Sequence, residues 1–423
     1  MIAYLLIFLI LGVPVGVAFS LVILMDAEAW SIDLEFIGQT TLDALLNYPL
    51  LAIPLFILGG ELMSHGGLTR QLVKFSRRLL HRTNGSMGHV MIVASALMGS
   101  ITGSSVATVA AIGRAIGPEM LGRGYRPGYV GALNASSGLL GVLLPPSIPL
   151  ILYGAAVGVS ITSLFLATLL PGLIFVGMFM LLHRARVKHV LPGGRESDMV
   201  SEGGERHEKD FGLPLAAALF MPVLVLGGIY SGLFTATEAA AVAVIYALVY
   251  ALLTRSTSLS QLGEGFTRAA ASGAAVMFVI GFTTIFNRAL ILEQIPQAVG
   301  TMAIGLTDNV WLFLLVVNLV LLLVGMFMET SAATLLMGPL LAPAAERYGV
   351  DPVHFGILLV VNIEIGLLTP PLAANLYVAA LVNKIPLVPL MRQLPWFVVA
   401  CLACLMLITY VPEVSLWYHY LPR

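Results

Sequence analysis

Apolar runs long enough to cross about 30 Å of hydrocarbon, near 20 residues each, dominate this chain. They fall at roughly 2–25, 47–64, 127–157, 161–183, 211–230, 233–254, 269–287, 352–383 and 393–413, and give nine expected crossings. Lipid offers no partner for backbone amides, so such spans are expected to be helical. The expected fold is therefore an all-α polytopic membrane protein. Composition agrees: of 423 residues, 59% are hydrophobic and 10% charged, where soluble domains carry about 25% charge. The opening run, MIAYLLIFLILGVPVGVAFSLVILM, has no basic leader and no A-x-A site, and it outruns a signal-peptide core. It reads as a retained first transmembrane helix.

The formal net charge of −1 conceals segregation. Lysine and arginine in short loops mark the cytoplasmic side. Arg70, Lys74, Arg77, Arg78 and Arg82 follow the second run, and Arg114, Arg123 and Arg126 close the next polar interruption. Arg184, Arg186, Lys188, Arg195, Arg206 and Lys209 occupy one long polar loop. The loop after the first run holds Asp26, Glu28, Asp33, Glu35 and Asp43 without a basic residue, and reads as external. Nine crossings then place the N-terminus in the cytoplasm and the C-terminus outside. The Gly-, Glu- and Ser-rich segment 187–210 reads as a cytoplasmic linker between a first membrane half, 1–186, and a second, 211–423. The stretch GGLTRQLVKFSRRLLHRT at 66–83 reads as an amphipathic interfacial helix. No basic stripe points to nucleic acid.

Two further apolar regions, about 87–120 and 309–346, are interrupted by small polar residues, GSITGSSVAT and GMFMETSAAT. Each is expected to be a re-entrant hairpin with its tip buried in protein, because irregular backbone at membrane depth needs protein or a watery cavity around it. Two crossings carry a proline pair: SGLLGVLLPPSIPLILYG at 137–154 and NIEIGLLTPPLAANLYVA at 362–379. Aligning Pro145-Pro146 with Pro370-Pro371 also matches Gly141 with Gly366 and Leu143 with Leu368. At nearly the same offset Gly99, Ser105, Ala107 and Thr108 match Gly325, Ser331, Ala333 and Thr334. The topology count makes this an inverted repeat with two re-entrant hairpins and two Pro-broken transmembrane helices, the pattern of secondary transporters.

A proline pair removes two amide donors and disfavours helix geometry at the residue before it. Carbonyls are left free, and beside the hydroxyls of Ser147 or Thr369 they form an all-oxygen environment suited to a small hard cation. Half-helix C-termini favour cations and N-termini favour anions, so one break can serve both a coupling ion and an anionic substrate. Among membrane-depth polar residues, Glu61 reads as a hydrogen bond across helices or a group near the cytoplasmic interface, Glu329 and Glu364 are candidates for ion or substrate chemistry, and Asn134, Asn362 and Asn375 for carboxylate donors. Interhelical hydrogen bonding is the alternative for each. Arg114 and Arg288 are candidate counter-charges, or snorkel towards a helix end. No H-E-x-x-H, Walker loop or G-x-S-x-G is present. Cys401 and Cys404 have no neighbouring ligands in sequence to complete a metal site. No enzyme and no organic cofactor is expected.

The stretches YPLLAIPLFILGGELMSHGGLTRQLV, GSITGSSVAT, GVLLPPSIPLILYG, SGLFTATEAAAVAVIYALVY and DPVHFGILLVVNIEIGLLTPPLAANLYVA, in that order, resemble the large membrane subunit of tripartite ATP-independent periplasmic (TRAP) transporters. The resemblance implies a sodium-driven, elevator-type importer of organic acids, carboxylates or sugar acids, in the bacterial inner membrane. It also implies two partners, a small four-helix membrane subunit and a periplasmic substrate-binding protein. It places a sodium site at Gly325, Gly366, Thr369 and Leu372, with a counterpart at Ser100, Gly103, Ser104, Gly141, Leu144 and Ser147. The expected substrate residues are Ser105, Asn134, Glu329, Ser331, Asn362, Pro370 and Asn375. Thr102-Gly103-Ser104-Ser105 stands where Ser-Gly-Ser-Ala is more usual, Leu372-Ala373 where Val-Gly is frequent, and Arg114 where a small or polar residue is common. The alternatives are a stand-alone dicarboxylate symporter of elevator type and a membrane-embedded hydrolase.

Overall fold

The computed structural model describes residues 4–5, 7–8, 11–26, 34–65, 67–80, 85–191, 213–254 and 258–420. Among them the elements are helical, with no strand. In chain order they are α1 (Val15–Asp26), α2 (Leu34–Leu45), α3 (Ala52–His65), α4 (Leu68–Leu80), α5 (Ser86–Thr102), α6 (Ser105–Gly122), α7 (Pro127–Ser137), α8 (Leu140–Leu143), α9 (Ile148–Val157) and α10 (Ile161–Val190). They continue with α11 (Leu213–Tyr230), α12 (Ala236–Thr254), α13 (Leu259–Leu292), α14 (Ile295–Leu306), α15 (Val310–Phe327), α16 (Thr330–Arg347), α17 (Pro352–Gly366), α18 (Ala374–Asn383) and α19 (Leu387–Tyr410).

Two packing groups emerge. In the first, α13 lies along α1, α2 and α3, while α12 packs on α3 and α11. Alanine and glycine let these helices approach closely, as where Gly59 faces Ala243. In the second, the two hairpins and both broken helices interleave: α18 packs on α6 and α7, α19 on α7 and α10, and α9 on α16. An aromatic cluster, Tyr129, Phe175, Phe179 and Phe397, fills the space between α7, α10 and α19 with ring centroids 5.8–6.0 Å apart. The groups meet where α5 touches α3 and α4, and where α16 touches α13 and α14.

Helices α5 and α6 span Ser86–Thr102 and Ser105–Gly122 as one helical hairpin, and α15 and α16 span Val310–Phe327 and Thr330–Arg347 as another. The first turns at Gly103, whose φ of 60° is open to glycine at little cost, and its amide closes α5 by donating to the Gly99 carbonyl. Ser104 then caps α6, its hydroxyl accepting from the Ala107 amide. The second turns at Met328, and Glu329 caps α16. The helix breaks are equally plain: residues 144–147 separate α8 from α9, and residues 367–373 separate α17 from α18. The Pro145-Pro146 and Pro370-Pro371 peptide bonds are both cis.

Several expectations need correction. Among the described residues five helices are long and apolar enough to cross a membrane, or seven if each of two bent pairs is one span, against nine expected. The run 352–383, expected to be broken at its proline pair, is two helices of 15 and 10 residues and so is not counted among the five. The run 2–25 is split at residues 11–14, where Gly12 has φ 78° and Pro14 disfavours helix at Val13, so the helix proper starts at Val15. Glu35 and Asp43, expected in a loop, lie on α2, which bends by 62° into the next helix. Helix α14 was not anticipated. The expected linker, 187–210, lies outside the described residues beyond Leu191, as do Glu28 and Asp33. The amphipathic stretch forms α4, which buries Leu68, Leu72 and Val73 and turns Arg70, Lys74 and Arg78 outward.

Candidate functional site

Each hairpin tip is fastened to a helix break by backbone. The Ile148 amide donates to the Gly103 carbonyl at 3.3 Å, joining the first tip to the first break, and the Leu372 amide donates to the Met326 carbonyl at 3.0 Å, joining the second. Glycine allows the approach. A Cβ on Gly99 would stand 2.4 Å from the Leu140 carbonyl oxygen and 2.7 Å from Gly141 Cα; one on Gly366 would stand 2.6 Å from Gly325 C. Helix backbones at these two places are in contact, without side chains between them.

Oxygen atoms gather at both joints. At the first, the positions a Cβ would take on Gly141 and Gly103 lie 2.6 Å from the Ser104 carbonyl oxygen and 2.7 Å from that of Pro146. The Ser147 hydroxyl is fully buried there and meets no hydrogen-bond partner among the described residues, a state shared by Ser136 and Ser137 on the last turn of α7. Buried hydroxyls without partners are costly unless something polar joins them. Ser100, at the end of α5, instead donates to the Leu97 carbonyl at 2.7 Å, and Leu144 is a buried apolar wall. At the second joint, the Thr369 hydroxyl and amide both donate to the Gly366 carbonyl, at 2.7 and 2.8 Å. The donor set is oxygen throughout, which fits a hard cation and offers nothing to a thiophilic metal.

Between the two packing groups lies a cavity of 1280 Å³. Helices α3, α4, α12 and α13 form one wall and the hairpin tips the other. The first residues of four helices line it: Ser105 of α6, Ile148 of α9, Thr330 of α16 and Ala374 of α18. Helix N-termini carry partial positive charge, so their convergence favours an anion. Side chains add to this field, with Arg70, Lys74, Arg77, Arg114 and Arg268 against Glu61, Glu329 and Glu364. Arg77 is also paired with Glu119 of α6, which bridges to Arg123 at 2.9 Å.

The cavity brings together Gly103, Ser104, Ser105, Glu329 and Ser331 of the expected residues. Asn134, Asn362, Pro370 and Asn375 are not part of its wall. Asn134 donates to the Val109 carbonyl at 3.2 Å, and Asn362 donates to Asn318 Oδ1 and the Leu358 carbonyl, both at 2.8 Å. Asn318 in turn donates to the Thr409 hydroxyl at 2.9 Å, so this chain ties α15, α17 and α19 together. Asn375 is fully buried with neither polar atom partnered among the described residues. Glu329 caps its own helix, accepting from the Ser331 amide and hydroxyl at 2.9 and 3.0 Å. Of the candidate counter-charges, Arg114 reaches the cavity; Arg288 sits in a separate 310 Å³ hollow, 5.6 Å from the Phe36 ring centre. Two contributions went unforeseen. Thr330 lines the cavity beside Glu329, and α4 supplies the basic rim, which its periodicity showed as polar but could not aim.

The sequence profile of the family described as tripartite ATP-independent periplasmic transporter, DctM component, matches residues 2–414. The chain is 37% identical over 374 residues to the C4-dicarboxylate TRAP transporter large permease protein of Pseudomonas aeruginosa, covering 88% of this chain and 86% of that one. It is 36% identical over 412 residues to the sialic acid TRAP transporter large permease protein of Vibrio cholerae, covering 96% and 94%. The isethionate TRAP transporter permease protein DctMQ of Oleidesulfovibrio alaskensis is 34% identical over 420 residues, and the chain spans 98% of its own length but 65% of that relative's. These relatives are named as permeases, not enzymes. In fold the chain is similar to the YdaH transporter of Alcanivorax borkumensis, with a TM-score of 0.64 at 17% identity over 91% of this chain and 90% of that one. It is also similar to MtrF of Neisseria gonorrhoeae, with a TM-score of 0.60 at 14% identity over 89% and 84%. With nearly its whole length matched, the chain belongs to the DctM component family of tripartite ATP-independent periplasmic transporters.

Proposed function

We propose that the protein is the permease of a sodium-coupled importer that carries an organic anion, a carboxylate or sugar acid, across the bacterial inner membrane by an elevator movement. The observation that carries this reading is the cavity where four helix N-termini and five basic side chains converge beside the two oxygen-lined joints. An anion fits the cavity and a sodium ion fits each joint, so both are held on the same hairpin assembly. That assembly slides against the wall formed by α3, α4, α12 and α13. A periplasmic binding protein delivers the anion, and a small four-helix membrane subunit braces the wall. The relatives named for C4-dicarboxylate, sialic acid and isethionate support an organic acid as cargo.

The basic rim of the cavity, Arg70, Lys74 and Arg77, belongs in the cytoplasm by the distribution of positive charge, and makes the present state inward-facing. The same rule puts the N-terminus in the cytoplasm and the C-terminus in the periplasm. The test is uptake into proteoliposomes holding the permease, its small subunit and the binding protein. Uptake is expected to need an inward sodium gradient, and full-rate uptake without sodium would refute the coupling. Full-rate uptake without the binding protein would favour a stand-alone symporter.

A further inference from the structure

Glu364 is the one carboxylate of the cavity wall that is fully buried, and it sits where both hairpin tips meet a broken helix. Its Oε1 accepts from the Thr330 hydroxyl of the second hairpin at 2.8 Å, and the Ser105 hydroxyl of the first hairpin approaches the same carboxyl group. Two elements thus fix its position. Its Oε2 makes no hydrogen bond among the described residues. The neighbouring Glu329 differs, because its oxygens are already engaged by Ser331 and Ala332. Glu364 therefore holds a fixed acceptor, without a full hydrogen bond on Oε2, buried at the cavity wall.

We propose that Glu364 is a specificity-determining residue that accepts a hydrogen bond from a hydroxyl or N–H on the transported anion. The permease then favours hydroxylated or nitrogen-bearing organic acids over plain dicarboxylates. The inference rests on the transport reading above and names the substrate chemistry of that same cavity. An acceptor buried without a donor is unfavourable, and a bound hydroxyl removes that cost. An ionised dicarboxylate carries only acceptors and sets one carboxylate oxygen against another. The basic side chains and helix N-termini hold the anion in either case, so what Glu364 adds is discrimination, not general affinity.

The test is direct binding to the purified membrane complex in nanodiscs with sodium present and the binding protein absent, so that the soluble partner's own selectivity does not enter. Two probe pairs differ chiefly in hydroxyl content: malate against succinate, and gluconate against hexanoate. The hydroxylated member of at least one pair is expected to bind on the order of tenfold more tightly, a preference that collapses in Glu364→Gln, where an amide donor replaces Oε2. Glu364→Asp keeps the charge but withdraws it, and weakens the hydroxylated probe more than the plain one. Equal affinity within both pairs, preference for the plain acid, or a preference unaltered in both variants overturns the proposal. Failure of the transport reading is distinguishable: no anion would be taken up in response to a sodium gradient, whatever residue stands at 364.

Discussion

Ser147 separates a ligand role from a structural one more cleanly than its neighbours do. Its hydroxyl is buried at the first helix break, caps no amide at the start of α9, and meets no partner among the described residues. Removing such a group takes no native hydrogen bond away and relieves a buried hydroxyl that has no partner, so Ser147→Ala is expected to leave stability intact or raise it by about 1 kcal/mol without sodium. If the oxygen is a sodium ligand, the same variant raises the sodium concentration for half-maximal uptake several-fold. Thermal unfolding and a sodium titration on one preparation check both halves, and an unchanged titration removes Ser147 from the ion site. Thr369 is a less direct probe, because its hydroxyl already donates to the Gly366 carbonyl and its loss disturbs the turn as well.

Glu329 illustrates how one side chain serves an element and a site together. It accepts from the Ser331 and Ala332 amides and closes the start of α16. Glu329→Ala should therefore cost about 1 kcal/mol, visible as a lowered melting temperature, while Glu329→Asp, a strong capping residue, recovers most of it. Uptake that returns with the cap assigns the residue to shape, and uptake lost in both variants assigns it to the anion. The hairpins and breaks were legible in the sequence because glycine, serine and proline inside apolar runs have few other uses at membrane depth. Helix α2 was not legible, since Glu35 and Asp43 made it look like a loop although they lie on a half-exposed helix. Helix α14, Ile295–Leu306, is too short to announce itself by length. Within the site, Ser105 and Ser331 were found by matching the halves, whereas Asn134 and Asn362 carried the same polarity and proved to point at neighbouring backbone or at Asn318. Residue type indicates that a polar group has a partner, and only tertiary packing decides whether that partner is protein or cargo.

At the scale of the molecule, the elevator reading demands that the hairpin assembly move past α3, and the contact between Gly60 and Thr102 lies on that boundary. A Cβ built on Gly60 would stand 3.3 Å from Thr102 Cα, so cysteines at the two positions fall within reach of a disulfide. The native Cys401 and Cys404 are both buried and can be replaced by alanine without leaving a surface thiol. In that background Gly60→Cys with Thr102→Cys should cross-link on oxidation, trap the present arrangement and abolish uptake, and a reductant should restore it. Each single-cysteine variant should transport under oxidising conditions, which separates the cross-link from damage by either substitution. Oxidised double-cysteine protein that still transports at full rate would mean the tip and α3 stay together throughout the cycle. The moving boundary would then lie elsewhere, and the two packing groups would be one rigid body around a locally gated cavity.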